Sequence, residues 1–187
     1  DRLDSGEVFI EGEAVQIESP KDAIRHGLAM VTEDRRGSGI ISGLSVKGNV
    51  SLAYLKDICN GLTFINKRRE EKDAKDMQQQ LQIRAASLNQ AIGSLSGGNQ
   101  QKAIIARWLL SDPKVLILDE PTRGIDVGSK SEIHRLISEL AAGGLAVIMV
   151  SSEMPEVLGM SDRIIVMRDG QIAGEYSREQ ASQEKLA

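Results

Sequence analysis

Val115-Leu-Ile-Leu-Asp-Glu-Pro-Thr122 is an unbroken apolar run that closes on two carboxylates, a proline and a hydroxyl. A strand apolar on both faces needs cover on both, so this stretch reads as an interior strand of a parallel sheet. In such sheets ligands bind beyond the carboxyl ends of the strands, which makes Asp119 and Glu120 the residues to inspect. Side chains alternate along a strand, so the two carboxylates address different atoms. One carboxylate holding Mg2+ through water, beside another that orients or deprotonates an attacking water, is the division of labour that nucleotide hydrolysis requires. Taken alone, Asp-Glu-Pro-Thr more often only turns the chain into the next helix.

On the C-terminal side, Ile133, Leu136, Ile137 and Leu140 recur at helical spacing until Gly143-Gly144, and Ala146 to Val150 forms a second apolar run. Together they spell a βαβ crossover. Ser151-Ser152-Glu153 follows the second run. Ile164 to Met167 is a third apolar run, read as a further covered parallel strand. A hairpin turning at Asp169-Gly170 and a polar tail from Ser177 that ends as a fraying helix complete this side.

On the N-terminal side stands Leu95-Ser-Gly-Gly-Asn-Gln-Gln-Lys102, with Ser96 in position to cap a helix whose apolar side is Ile104, Ile105, Trp108 and Leu109. The two glycines let backbone amides approach an anion at the positive helix end, a geometry that suits phosphate. Ser-Gly-Gly by itself is an ordinary loop before a helix. Its specificity comes from the pairing, because Ser96 precedes Asp119 by 23 residues, across one amphipathic helix and one buried strand.

Farther upstream, residues 6–19 alternate about Gly12 as a β-hairpin, Ser19-Pro20 to Gly27 encloses a short helix, and Leu28 to Val31 is a buried strand. Thr32 to Gly39 is a charged, glycine-bearing loop. The stretch from Val46 to about Ile83 reads as helical and polar; five basic and four acidic residues interleave between Lys67 and Asp76, with Glu71 placed to pair with Lys75 over an apolar stripe of Ala74, Met77 and Leu81. Between Gly37 and Asn60, the glycines Gly37, Gly39 and Gly43 accompany Ile40, Ile41 and Leu44, a combination expected of an exposed docking loop or of a simple cover for the helical lobe.

The 187 residues carry 41% apolar and 27% charged side chains, ordinary globular usage that fits neither disorder nor a fibre. A formal charge of -4 argues against a dedicated nucleic-acid binder, and the single Cys59 excludes an internal disulfide or a cysteine metal cluster. No apolar run approaches the ~20 residues needed to span a bilayer. The chain opens on Asp1 rather than Met and reaches strand-like sequence almost at once, so it is expected to be a piece of something longer.

Leu95 to Gln101 resembles the signature motif of ATP-binding cassette ATPases, and Val115 to Thr122 resembles their Walker B strand. The resemblance covers essentially the whole chain. Gly124, Ile125 and Asp126 fall at the D-loop position, Thr32-Glu33 at the Q-loop position, and Ser152 where these ATPases usually carry the switch histidine. Thr32 to Arg36, Ser96 to Lys102, Arg123 to Val127 and Ser151 to Glu153 are most similar to the second cassette of duplicated monosaccharide-importer subunits of the ribose, galactose and xylose type.

The resemblance implies an α/β fold of the P-loop NTPase kind: a parallel core sheet, an N-terminal antiparallel hairpin and a helical signature subdomain, lacking the phosphate-loop strand. A single partial nucleotide-binding domain over residues 1–187 is expected, with the helical lobe at about 44–110 and the Walker B, D-loop and switch core with its hairpin at about 114–176. It also implies ATP and Mg2+, the metal held by Asp119 through water, with Glu120 catalytic. Ser96, Gly97, Gly98, Asn99 and Gln100 would complete an ATP site on a partner cassette in the same polypeptide.

Glu33 replaces the usual glutamine, Ser152 the usual histidine, and neither His26 nor His134 is placed to substitute for the latter. His134 is expected to face solvent or an interface. The replacements at Glu33 and Ser152 make slow or absent hydrolysis expected at the local site; no Gly-x-x-x-x-Gly-Lys-[Ser/Thr] phosphate loop occurs, so it is expected upstream of Asp1 or removed, with little ATP affinity or activity from these residues alone. The implied partners are sugar-permease subunits and, indirectly, a periplasmic or extracellular sugar-binding protein, without nucleic acid, at the cytoplasmic face of the membrane. The competing readings are a non-catalytic regulatory cassette and a soluble cassette ATPase of DNA repair or translation.

Overall fold

The computed structural model describes residues 3–60 and 64–186, Asn60 through its backbone only. The ends of the expected domain and residues 61–63 of its helical lobe lie outside the described residues.

Strands β1 (Val8–Ile10) and β2 (Glu13–Val15) form the antiparallel hairpin, and its turn residues Glu11 and Gly12 both have positive φ, at 53° and 82°. That backbone matches the twist of the flanking strands. Helix α1 (Pro20–Arg25) starts where Ser19 accepts from the Asp22 amide, and Gly27 at φ 79° ends the turn. β3 (Leu28–Val31) follows.

Instead of an open loop, Arg35–Gly39 closes a single π turn, with the Gly39 and Ile40 amides donating five residues back to the Asp34 and Arg35 carbonyls. The helical lobe then contains α2 (Val46–Ser51), a 3-10 turn, α3 (Leu55–Ile58), and a two-stranded ladder of β4 (Cys59–Asn60) with β5 (Phe64–Ile65) before α4 (Lys67–Gln80). The ladder corrects the uniformly helical expectation for this stretch. Ala74 and Leu81 are buried and Met77 packs on the core, as the apolar stripe implied. Glu71, however, pairs with Lys47 of α2 at 2.6 Å rather than with Lys75, so the polar face of α4 ties two helices together.

Helix α5 (Gly97–Leu109) leads to β6 (Val115–Asp119), α6 (Val127–Ala142), β7 (Ala146–Val150) and α7 (Met154–Met160). The sheet is parallel in the order β3-β6-β7, with Ala29 beside Leu116 and Leu116 beside Val147. One face carries Ala29, Val31, Leu116 and Leu118 into a core shared with Ile104 and Ile105 of α5 and Ile133 and Leu136 of α6. The other face leaves Met30, Ile148 and Val150 45%, 53% and 51% exposed. The double cover that these strands' composition predicts is therefore met on one side among the described residues.

The third apolar run also differs from expectation. β8 (Arg163–Arg168) pairs antiparallel with β9 (Gln171–Ser177) in a hairpin apart from the parallel sheet, and Ile165 and Met167 face outward. Its turn does fall at Asp169-Gly170, both at positive φ, and the short α8 (Gln183–Leu186) lies in the polar tail. A run of apolar residues specifies burial need, not partner or direction, and the Asp-Gly turn made the nearest partner local.

Candidate functional site

β6 delivers Asp119 and Glu120 to the carboxyl edge of the sheet. Glu120 adopts a left-handed backbone, φ 47°, fixed by its amide donating to the Val150 carbonyl at 2.9 Å and its carbonyl accepting from the Arg123 amide at 3.1 Å. For a non-glycine residue that conformation costs on the order of 1 kcal/mol and is concentrated at functional positions. The turn aims the Glu120 carboxylate across to β7's end, where Oε1 accepts from the Ser152 amide at 2.7 Å. Asp119 is half-buried, and among the described residues its carboxylate has no side-chain partner.

Beneath this edge lies Glu156 of α7, 4% exposed. It accepts from Thr122 Oγ1 at 3.0 Å, His134 Nε2 at 2.7 Å and Ser151 Oγ at 2.5 Å, joining the turn after β6, helix α6 and the segment after β7. Burial pushes this carboxyl up, but the hydrogen bonds from Ser151, His134 and Thr122 outweigh it and hold the group below its ordinary value. His134 thus lies between α6 and α7 as a donor to a buried carboxylate. Ser151 Oγ also accepts from the Glu153 amide at 3.0 Å, and the Glu153 carboxylate pairs with Lys130.

The second edge is the start of α5. Ser96 has the extended backbone of a cap, φ -62° and ψ 157°, and its carbonyl accepts the first helical bond from the Gln100 amide at 2.9 Å. Its side chain makes no capping bond. The expected cap is thus only half realised, because Ser96 Oγ instead accepts from Asn99 Nδ2 at 2.8 Å. No acceptor among the described residues takes the Gly97, Gly98 or Asn99 amide, and the helix dipole at this end favours an anion.

The glycines here serve close approach. A Cβ on Gly98 would come within 2.6 Å of the Ser129 side chain on α6, and one on Gly97 within 3.1 Å of the Arg35 guanidinium. Arg35 Nε donates to Gln100 Oε1 at 3.3 Å and its Nη1 to the Arg123 carbonyl at 3.4 Å. Gln100 is buried, and its Nε2 donates to the Leu95 carbonyl at 3.0 Å, so it shapes the loop from beneath.

The ABC transporter family model matches residues 1–123. The chain belongs to that family. It is 53% identical, over its whole length, to a putative ribose/galactose/methyl galactoside import ATP-binding protein of Rhizobium etli, and covers 35% of that protein. It is 51% identical over 97% of its length to the ribose import ATP-binding protein RbsA of Clostridium tetani, covering 36%. The chain thus spans about a third of these relatives' length. Its fold matches a nucleotide-free ATP-binding cassette from an ABC transporter, TM-score 0.80 at 23% identity, over 94% of this chain and 71% of that one. A dimeric cassette bound to ADP and Pi, in a post-hydrolysis state, superposes with TM-score 0.76 at 23% identity, over 95% and 75%.

Glu33, at the expected Q-loop position, is exposed and pairs with Arg123 in the turn after β6. At the expected D-loop position Gly124 has φ 67°, Ile125 is buried, and Asp126 caps α6 by accepting from the Ser129 amide at 2.9 Å. That backbone bond and the Ser129 hydroxyl hold the Asp126 carboxyl below its ordinary value. Ser152, at the expected switch position, contributes its backbone amide to Glu120. Ile40 of the expected docking loop is buried, whereas Ile41 and Leu44 are exposed; Gly39 is packed against Ile104.

Among the described residues no group of three or more His, Cys, Asp or Glu side chains could hold a metal by itself. Mg2+ keeps several waters and needs only one or two carboxylates, so the unpaired Asp119 fits it in a way that a closed cage would not. No described helix is long and apolar enough to cross a membrane.

Sequence reasoning missed Glu156, Arg35 and Arg123. The first sits in a helix start of no special pattern, and the two arginines were legible only as loop charges. Their partners lie 5 to 88 residues away along the chain.

Proposed function

We propose that this chain is part of an ATP-hydrolysing cassette that powers monosaccharide import, and that it supplies the signature motif to an ATP site completed by a partner cassette. The observation that carries this reading is the start of α5: an exposed serine that leaves the first-turn amides uncapped, beside a Gly98 demanded by close packing on Ser129. Capping would stabilise the helix by about 1 kcal/mol, and its absence keeps donors available for a phosphate.

At the chain's own site, Asp119 would hold Mg2+ through water, and the metal would neutralise phosphate charge. Glu120, fixed by the Ser152 amide, would orient a water. Without a histidine at position 152 one donor to the developing phosphate charge is missing, and such a donor is worth about 3 kcal/mol in comparable oxyanion sites. The local site is therefore the slower of the two. The partners are a second cassette of the same polypeptide and the permease, reached through the exposed Ile41 and Leu44, at the cytoplasmic membrane face.

Transport and ATP turnover of the full-length subunit with its permease in vesicles test this reading. Ser96→Arg should abolish both, because a bulky cation blocks the helix start and opposes its dipole. Glu120→Gln should leave a substantial part. Equal and complete loss from both changes would make the local site catalytic after all.

A further inference from the structure

Asn99 occupies the third position of α5, and both ends of its amide are engaged within the chain. The Arg84 backbone amide donates to Asn99 Oδ1 at 2.7 Å, and Asn99 Nδ2 donates to Ser96 Oγ at 2.8 Å. The orientation of this amide is not free. A backbone N–H can only donate, so it fixes the oxygen toward Arg84 and the NH2 toward Ser96.

The Arg84 backbone is itself anchored. Ile83 is buried, Lys102 Nζ donates to the Gln82 carbonyl at 3.4 Å and to Glu132 at 2.7 Å, and Glu132 also pairs with the Arg84 guanidinium at 2.7 Å. Lys102 is almost fully buried, and its bond to Glu132, with the Lys102 and Arg84 charges beside it, keeps that carboxyl below its ordinary value. The loop holding the Arg84 amide is thus tied to both α5 and α6.

We propose that Asn99 is a positioning residue that makes the Ser96 hydroxyl an outward donor to an anion, the terminal phosphate of a nucleotide on the partner cassette. A hydroxyl has one hydrogen and two lone pairs. Because Asn99 supplies the hydrogen of their mutual bond, the Ser96 proton remains uncommitted, and no other side-chain bond to Ser96 Oγ exists among the described residues. Had Ser96 capped its own helix, an amide would hold Oγ inward over the first turn. The Asn99 bond instead holds it beside the uncapped amides, so hydroxyl and amides can converge on one phosphate. This deepens the proposed function and rests on it.

The test is a double-mutant cycle in the full-length subunit with its permease, reading kcat and KM for ATP. Ser96→Ala should lower kcat at least tenfold, and Asn99→Ala about fivefold. The double variant should be no slower than Ser96→Ala alone, since a residue acting only through the hydroxyl has nothing left to position. Asn99→Asp keeps the acceptor for the Arg84 amide, and with it the loop, but removes the donor. Its charge also repels phosphate in either background, so it should be slowed more in the wild-type background than in the Ser96→Ala background; if Asn99→Ala lowers the thermal midpoint, that difference decides. Asn99 variants at wild-type rate, or losses that persist unchanged without the Ser96 hydroxyl, would overturn the proposal. An inert Ser96→Ala would instead overturn the underlying reading of the signature edge.

Discussion

The helical lobe and the strand ends each contain a buried charge that gathers polar groups from several elements, a cation in the lobe and an anion at the strand ends. In the lobe, Arg107 of α5 donates to the Asn49 carbonyl at 2.8 Å, the Gly39 carbonyl at 2.7 Å and Asn49 Oδ1 at 3.0 Å. No carboxylate of the described residues lies within ion-pair distance of it. At the strand ends, Glu156 accepts from two hydroxyls and an imidazole. A cation is suited to gather backbone carbonyls, which can only accept, and so it fastens the π turn to α2. An anion is suited to gather side-chain donors, and so it fastens residues around Glu120. The guanidinium stays charged in proteins whereas the carboxylate titrates, so the two regions should respond differently to acid.

The largest effect is expected at the cation. Arg107→Met leaves the Gly39 and Asn49 carbonyls buried without donors and should destabilise the chain by about 3 kcal/mol, read from urea unfolding. The loss should be nearly constant between about pH 5 and pH 8, since the guanidinium does not titrate there. A loss under about 1 kcal/mol would mean that water or a rearranged Asn49 replaces it.

Glu156→Gln should cost about 2 kcal/mol at neutral pH, because an amide cannot accept from every one of these donors. The carboxyl is held below its ordinary value in the fold. Its stabilisation is therefore fully present above about pH 4.3, the unfolded value, and is lost as pH falls through the lower folded value. A thermal-midpoint profile against pH should show a steeper acid decline for the parent than for Glu156→Gln, and parallel profiles would remove Glu156 as the acid-labile anchor.

Gly98→Ala sharpens the comparison at the junction of the two regions. The added Cβ meets Ser129 at 2.6 Å. It should destabilise by about 1.5 kcal/mol, with most of the loss recovered by Ser129→Gly, and an unrescued loss would place the strain elsewhere.

The smallest effect has the opposite sign. Ser96→Asp adds a capping carboxylate at the dipole's positive end and should raise stability by about 0.5–1 kcal/mol, while excluding phosphate from the helix start. No gain in the urea midpoint would show that the first-turn amides are already satisfied.

Much of the local framework was legible from short-range pattern. The Glu11-Gly12 and Asp169-Gly170 turns, the Ser19-Pro20 helix start and the β3, β6 and β7 runs fall where their residues put them. At the candidate site, the sequence placed Asp119 and Glu120 at a strand end and Ser96 at a helix start. It misjudged what Ser96 Oγ does, since a capping serine and one held by Asn99 have the same local sequence.

What the sequence determined by itself is where most elements begin, turn and stop, the π turn and the β4–β5 ladder excepted, because caps, glycines with positive φ and apolar periodicity act over a few residues. Tertiary structure alone decided that β8 stays out of the parallel sheet, that Glu71 reaches Lys47, and that His134 meets Glu156. It also set the two anchors, with Arg107 bonded 58 and 68 residues back along the chain. A buried charge selects partners by which donors or acceptors the packed chain brings within about 3 Å, and no periodicity along the sequence encodes that proximity.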